Sequence, residues 1–437
     1  MKPYLKYKDS GVEWIGEVPE GWDVKPLKYV AAINEKTLTD KTDKNYQFYY
    51  IDIGNVTLGK IAFPKKKTSF ESAPSRARRL VEDGDTIIST VRTYLKAVAN
   101  INIDDSDIVV STGFAVVSPK FDYDKKYFSH LLTCEKIIYK ICSLSVGISY
   151  PAVNSSDIAN IQVWYPVSKE EQTVIATFLD RKTAEIDKLI ANKERLIELY
   201  EEKKQAVINQ AVTKGLDPDA EMKDSGVEWL GEIPAHWEVK RLRYIGDCQN
   251  GVSKSGDYFG AGFPFISYGD VYNKFVLPEQ PEGLASSTES DQKNYSVVKG
   301  DVLFTRTSET MEEIGIASTC LKTIDQAVFS GFLIRFRPID GILLEGFSKY
   351  YFRANIHRLF FVKEMNLVTR ASLSQELLKR LPVLIPPIQV QEKIVSYLDQ
   401  QETNLNSIIN KLKKQINLFK EYRTALISEA VTGKIQI

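Results

Sequence analysis

A twelve-residue segment of this chain occurs twice. Lys8 to Pro19 reads KDSGVEWIGEVP, and 215 residues later Lys223 to Pro234 reads KDSGVEWLGEIP. Trp22 and Trp237 follow at the same spacing, then Val24-Lys25 and Val239-Lys240. A period this long far exceeds a solenoid unit, so each copy is the size of a domain. The 437 residues are too many for one ordinary core and leave room for two such copies.

The parallel continues at a slowly growing offset, as expected of diverged domains with small loop insertions. Ile51 to Val56 matches Ile266 to Val271, and Gly84 to Ile88 matches Gly300 to Phe304, a turn feeding an apolar strand-like run. Gly113 to Val117 matches Gly331 to Arg335. Between these anchors the copies barely agree, so a shared frame carries unlike surfaces. Each copy should then hold a helix, near Lys126 to Ser143 and Leu344 to Glu364. A short buried strand before a proline follows, Ile161 to Tyr165 and Leu381 to Ile385.

After Pro166 and Pro387 the composition shifts to long, glycine-free, charge-rich sequence with helical spacing, from about Lys169 to Val212 and from about Val390 to Val431. Ile175, Leu179, Ile186, Leu189, Ile197, Tyr200, Val207 and Ala211 keep steps of three, four or seven; Leu398, Leu405, Ile408, Leu412, Phe419, Leu426 and Ala430 do likewise. These are coiled-coil seams. Gly215 and Gly433 stand where each helix should end, and Pro218 blocks continuation of the first. About 43 helical residues span about 65 Å, longer than a domain is wide, so the seams should bury each other antiparallel with a lobe at each end. The expected fold is α+β: two similar domains of mixed sheet with short helices, separated by two long helices in an antiparallel coiled coil. The expected divisions are residues 1–166, 167–215, 216–386 and 387–437.

Lys plus Arg and Asp plus Glu both number 57. Bulk charge therefore gives no electrostatic footprint for nucleic acid, and any such surface must be local or shared with a partner. No apolar run approaches the roughly 20 residues that span a bilayer, and Met1 to Lys6 leads into Lys8-Asp9-Ser10 without a signal-peptide core, so a cytoplasmic protein is expected. Cys134, Cys142, Cys248 and Cys320 are dispersed and read as small hydrophobes. His130, His236 and His357 stand alone, poor material for a metal or triad site.

Two variable domains alternating with two similar long helices, the Gly-Val-Glu-Trp segment before each domain, and Gln172 or Gln391 opening each helix together resemble the specificity subunits of type I restriction-modification systems. The resemblance covers essentially the whole chain. It implies a non-catalytic subunit whose domains are target recognition domains for double-stranded DNA and whose helices act as a ruler. It also implies methyltransferase subunits, two of them, docked on the helices, and motor-nuclease subunits in the full complex. S-adenosylmethionine, ATP and magnesium would then belong to the partners, with no cofactor in this chain. Because the lobes differ, the target should be bipartite and asymmetric.

Bases are read most often by Arg or Lys at guanine and by Asn or Gln at adenine, expected here on loops flanking the strands. Arg92 and Lys96 follow the Gly84 strand, and Arg306 follows the Gly300 strand; a surface salt bridge is the competing role for each. A second loop runs from Gly147 to Asn154 in the first copy and from Thr369 to Ser374 in the second. It resembles the family's recognition loop, which carries a basic residue where Arg370 stands; Tyr150 takes that place in the first copy, and Ser372 lies in the second. Asn154 aligns with Ser374, and a helix cap is the favoured role for both over base contact. Lys65, Lys66 and Lys67 with Arg76, Arg78 and Arg79 form the densest basic patch, suited to phosphates or simply solvated.

Gly54 to Lys60 has the spacing of a phosphate-binding loop, but Ile61 stands where Ser or Thr must reach magnesium and Pro64 follows instead of a helix, so it reads as strand and loop. No Asn-Pro-Pro-Tyr or Asp-Pro-Pro-Tyr segment and no dinucleotide fingerprint occurs. The rival readings are a two-lobed scaffold for proteins and a self-sufficient nuclease or methylase.

Overall fold

Gly84 adopts a left-handed backbone, φ +85°, that only glycine takes without strain, and it turns the chain into the fully buried strand β1 (Thr86–Ser89). In this computed structural model, which describes residues 2–102, 107–308, 313–364 and 371–437, β1 lies between Val98–Asn100 and β2 (Phe114–Pro119), and Ala31–Ile33 closes the far edge, all antiparallel. A second sheet runs Thr68–Ser69, Gln47–Ile51, Ile108–Ser111, Ala77–Leu80, its central pair parallel. Gly54 to Lys60 forms a single 3-10 turn and a tight hairpin, Val56–Thr57 with Lys60–Ile61, as its sequence predicts.

The second copy repeats this strand order. Gly300, φ +92°, feeds β3 (Val302–Thr305), flanked by Ala317–Thr319 and β4 (Leu333–Pro338), with Gly246–Asn250 beyond. A parallel pair, Phe259–Ile266 with Val328–Phe329, again anchors the second sheet. Each copy closes with an antiparallel ribbon: Trp22–Pro26 on Gln162–Pro166, and Glu238–Arg241 on Pro382–Ile385.

The sheet register corrects one sequence match. Thr86 faces Val117 while Val302 faces Phe336, so Arg335 is not the counterpart of Val117. A one-residue slip in a strand exchanges its faces. Accordingly the fully buried Phe114 is replaced by the fully buried Leu333, and Phe332, which the sequence sets beside Phe114, is 62% exposed.

Each helix expected after the sheets is a pair. In the first copy α1 (Lys125–Leu132) and α2 (Glu135–Ser143) break at Thr133-Cys134, and a short α3 (Ser155–Ala159) precedes the closing ribbon. The 46-residue α4 (Lys169–Lys214) follows. In the second copy α5 (Glu345–Tyr351), α6 (His357–Glu364) and α7 (Gln375–Leu378) lead to the 44-residue α8 (Ile388–Val431).

The first turn of each long helix is bolted to its own copy by a buried glutamine. Gln172 accepts from the Asp124 N–H at 2.9 Å and donates to the Pro166 carbonyl at 2.9 Å; Gln391 accepts from the Leu344 N–H and donates to the Pro386 carbonyl, both at 2.8 Å. Two turns on, Asp180 meets His130 at 2.7 Å, and Asp399 accepts from the Tyr350 hydroxyl at 2.6 Å. The His130 bond is the main reason the Asp180 carboxyl titrates below its ordinary range.

Packing divides the chain into two units, residues 1–194 with 413–437, and residues 195–412. In the first, α4 and α8 run antiparallel, joined by Asp187 to Arg423 at 3.0 Å and Lys193 to Gln415 at 2.7 Å. Ile175, Leu179, Ile186 and Ile190 are buried from α4, and Ile416, Leu426 and Ala430 from α8. In the second unit Lys204 reaches Glu402 at 2.9 Å and Asn406 at 3.2 Å, in the same antiparallel sense, with Ile208, Ala211, Leu398, Leu405 and Ile409 buried. Each such Ile or Leu contributes roughly 1.5–3 kcal/mol. Two expected seam residues, Leu189 and Ile408, face outward, and Ile190 and Ile409 take their places. An unsupercoiled helix of 3.6 residues per turn drifts off a strict heptad, and here the seam moves by one residue.

The helix ends match as well. Gly215, φ +75°, ends α4 against Trp237 and Pro234, and Gly433, φ +69°, ends α8 against Trp22 and Pro19. A Cβ on Gly433 would come within 2.5 Å of the Pro19 ring. The Trp164 indole donates to the Val431 carbonyl at 2.6 Å. Each unit therefore combines one lobe, the first part of the helix that follows it and the last part of the other helix. No helix among the described residues is long and apolar enough to cross a membrane.

Candidate nucleic-acid interface

Beyond β1 the chain leaves the sheet as a short loop that the backbone holds rigidly. Thr90 N–H donates to the Gly113 carbonyl, Val153 N–H to the Thr90 carbonyl and Arg92 N–H to the Pro151 carbonyl, at 2.8, 2.8 and 2.7 Å. Val91 and Ala152 form a bridge, and the Thr93 and Ser145 hydroxyls meet at 2.6 Å. Two loops distant in sequence are thus one rigid edge. Its exposed members include Tyr94, Leu95, Val146, Ile148 and Tyr150, with Arg92 lying over the Tyr150 ring at 4.8 Å and Lys96 over Tyr139 at 5.0 Å.

The second lobe builds the corresponding edge with other residues. Thr307–Ser308 pairs with Ala371–Ser372, Leu373 N–H donates to the Arg306 carbonyl at 2.7 Å, and Arg306 N–H donates to the Phe332 carbonyl at 2.9 Å. The Arg306 guanidinium turns back and donates to the Gly331 carbonyl at 3.3 Å. Ser372 is exposed, and Arg370 lies outside the described residues.

The helix caps stand as the sequence predicts. Ser374 caps α7, its hydroxyl accepting from the Leu377 N–H at 3.1 Å. Asn154 caps α3, with the Asp157 carboxylate accepting from its backbone N–H at 3.3 Å and from Nδ2 at 3.2 Å.

The basic patch is largely occupied within its own lobe. Arg76 pairs with Asp52 at 2.6 Å, Lys67 with Asp107 at 2.8 Å, and Arg78 with Asp40 at 3.6 Å while lying over Phe70. Arg79 is half-buried, which depresses its pKa. Lys65 and Lys66 are exposed.

A protein-family model described as "Type I restriction modification DNA specificity domain" matches residues 19–199 and again residues 234–418. The chain belongs to this family. Each match takes in one lobe and the first part of the helix after it. Like-named relatives extend the likeness to nearly the whole length of this specificity protein. The MjaIX specificity subunit of Methanocaldococcus jannaschii is 24% identical over 97% of this chain and 95% of its own. The EcoKI specificity subunit of Escherichia coli is 23% identical over 96% and 90%. Among solved structures, a chain from work on complex assembly and conformational transition of the type I R-M system superposes with a TM-score of 0.75 at 22% identity, covering 96% of this chain and 99% of that one. The HsdS subunit from Thermoanaerobacter tengcongensis gives 0.55 at 22% identity, with 96% and 98% covered. These two show the fold.

Tyr94, Leu95 and Ile148 lie in the loops singled out from sequence without being named as contacts, and Tyr139 lies outside those loops. Ile148 is fully exposed. The signal was present: Gly147 and Pro151 bracket Ile148 and Tyr150 in a stretch too short for a strand, so those apolar side chains have no core to enter.

Proposed function

We propose that this specificity protein reads a bipartite, asymmetric duplex target, one half-site per lobe, and holds two methyltransferase subunits on α4 and α8. The observation that carries this reading is the conserved frame with exchanged edges. The same strands pin Val91 to Ala152 in one lobe and Thr307 to Ser372 in the other, while the side chains displayed there are unlike. A frame that fixes loops and varies what they show is suited to base readout in a groove.

Docking on the helices is supported by apolar residues that neither unit covers: Leu189, Leu196 and Leu199 on α4, and Leu418 and Tyr422 on α8. The chain itself does no chemistry. Methyl transfer with S-adenosylmethionine falls to the methyltransferase subunits, and ATP- and magnesium-dependent steps to the motor-nuclease subunits of the complete cytoplasmic enzyme. A formal net charge of zero accords with partners that help to clamp the duplex.

Footprinting the chain with its co-purifying methyltransferase on random duplex DNA tests the proposal. Two protected half-sites separated by an unread spacer are expected; a two-lobed protein scaffold would protect no common sequence. The purified chain alone, given DNA, magnesium and S-adenosylmethionine, should neither cut nor methylate.

A further inference from the structure

Arg92 and Lys96 take left-handed backbone, φ 50° and 53°, on either side of one 3-10 turn, Thr93–Leu95. Side chains with a Cβ avoid this region, and such residues persist where the surroundings dictate them. Here they do: the Arg92 N–H is held by Pro151 and the Lys96 N–H by Thr93, at 2.7 and 2.9 Å. The strained turn delivers both cations onto exposed rings, Arg92 onto Tyr150 and Lys96 onto Tyr139.

Several other arginines in this chain end on oxygen, even where a ring also lies beneath the guanidinium, as Phe275 does beneath Arg353. Arg76 meets Asp52, Arg337 meets Asp301, and Arg353 donates to the carbonyls of Val271, Tyr272 and Ala317. Among the described residues, no carboxylate or carbonyl oxygen accepts from the Arg92 guanidinium. A ring under a guanidinium engages its face and leaves the N–H groups at its edge free. Two parallel N–H groups at that edge match the paired acceptors O6 and N7 of guanine, whereas adenine sets a donor beside N7.

We propose that Arg92 is the guanine-reading side chain of the first half-site and that Tyr150 is its positioning residue. This rests on the DNA-reading function proposed above and assigns one base chemistry to one lobe. The second lobe has no arginine at the matching position: Thr307 pairs with Ser372 as Val91 pairs with Ala152, so Ser308 stands where Arg92 does.

The test uses the chain with its co-purified methyltransferase and duplexes carrying the mapped target. Guanines of the first half-site are replaced singly by 7-deazaguanine, which lacks only the N7 acceptor. One position should weaken binding of the native complex by roughly 5-fold or more, the lower end of the range of a good bidentate contact, because O6 still accepts. Arg92→Lys, which keeps the charge and loses the fork, should lose a similar factor on the target, retain its affinity for unrelated DNA, and become indifferent to 7-deazaguanine. Tyr150→Phe should behave as native, and Tyr150→Leu should lose discrimination at that position with an unchanged melting temperature. The proposal is overturned if the first half-site contains no guanine. It is equally overturned if Arg92→Lys weakens target and unrelated DNA alike, which would mark a phosphate contact. Absence of any bipartite preference in the native complex would instead remove the DNA-reading function, and this inference with it.

Discussion

Gln172 and Gln391 occupy the same place in the two copies and make the same pair of bonds, each linking the first turn of a long helix to the start of a lobe helix and to the proline carbonyl behind it. Both are buried. Gln172→Leu keeps the bulk but strands an N–H and a carbonyl, at about 1–3 kcal/mol for each group left unpaired. Gln391→Leu should cost at least as much in the second unit, because Gln391 also donates to the Ile342 carbonyl at 2.9 Å. Thermal unfolding of the two variants and the double variant should show similar, nearly additive losses; an unchanged melting temperature in either would contradict the equivalence.

His357 gives the second unit a pH dependence. It is fully buried among Tyr351, Phe352 and Trp229, its Nε2 within 2.8 Å of the Tyr351 carbonyl. Burial lowers its pKa to about 4, against an ordinary value of about 6.5. Above pH 6.5 both states are neutral and nothing is lost. As pH falls from 6.5 towards 4 the unfolded chain binds a proton that the folded one refuses, and stability declines by about 3 kcal/mol in all. The melting temperature of His357→Gln, compared with native protein from pH 7.5 to 4.5, should fall less steeply.

The duplicated frame was legible because its signals are local and covalent: Gly84 and Gly300 must turn the chain, and Gly215 and Gly433 must end helices. The long helices were legible from their glycine-free periodicity. The break at Thr133-Cys134 was not, since the apolar spacing runs through it without interruption. Long-range pairing was equally invisible. Arg76 and Arg78 read as free basic residues until the fold brings Asp52 and Asp40 to them, and nothing in the sequence around Arg306 shows that its side chain turns inward.

Lys65 and Lys66 are the members of the basic patch best placed to meet phosphate. Replacing both with Gln should weaken binding to target and unrelated DNA alike and reduce the slope of log affinity against log salt by about 2. A change in the preferred sequence would show that they contact bases.

Deleting matched heptads from the middle of α4 and α8 should shorten the unread spacer of the target while both half-sites persist. Methylome mapping in a host carrying the shortened chain reads this directly. Altered half-sites with an unchanged spacer would contradict a measuring role for the helices.

The Gly433 turn seats on Pro19 and Trp22 as the Gly215 turn seats on Pro234 and Trp237. Every lobe therefore plugs into the same two sockets, a glutamine bolt on one side and a glycine–tryptophan joint on the other. Exchanging a lobe at these joints should leave the helix packing within each unit unchanged, and a lobe taken from either position should seat in the other.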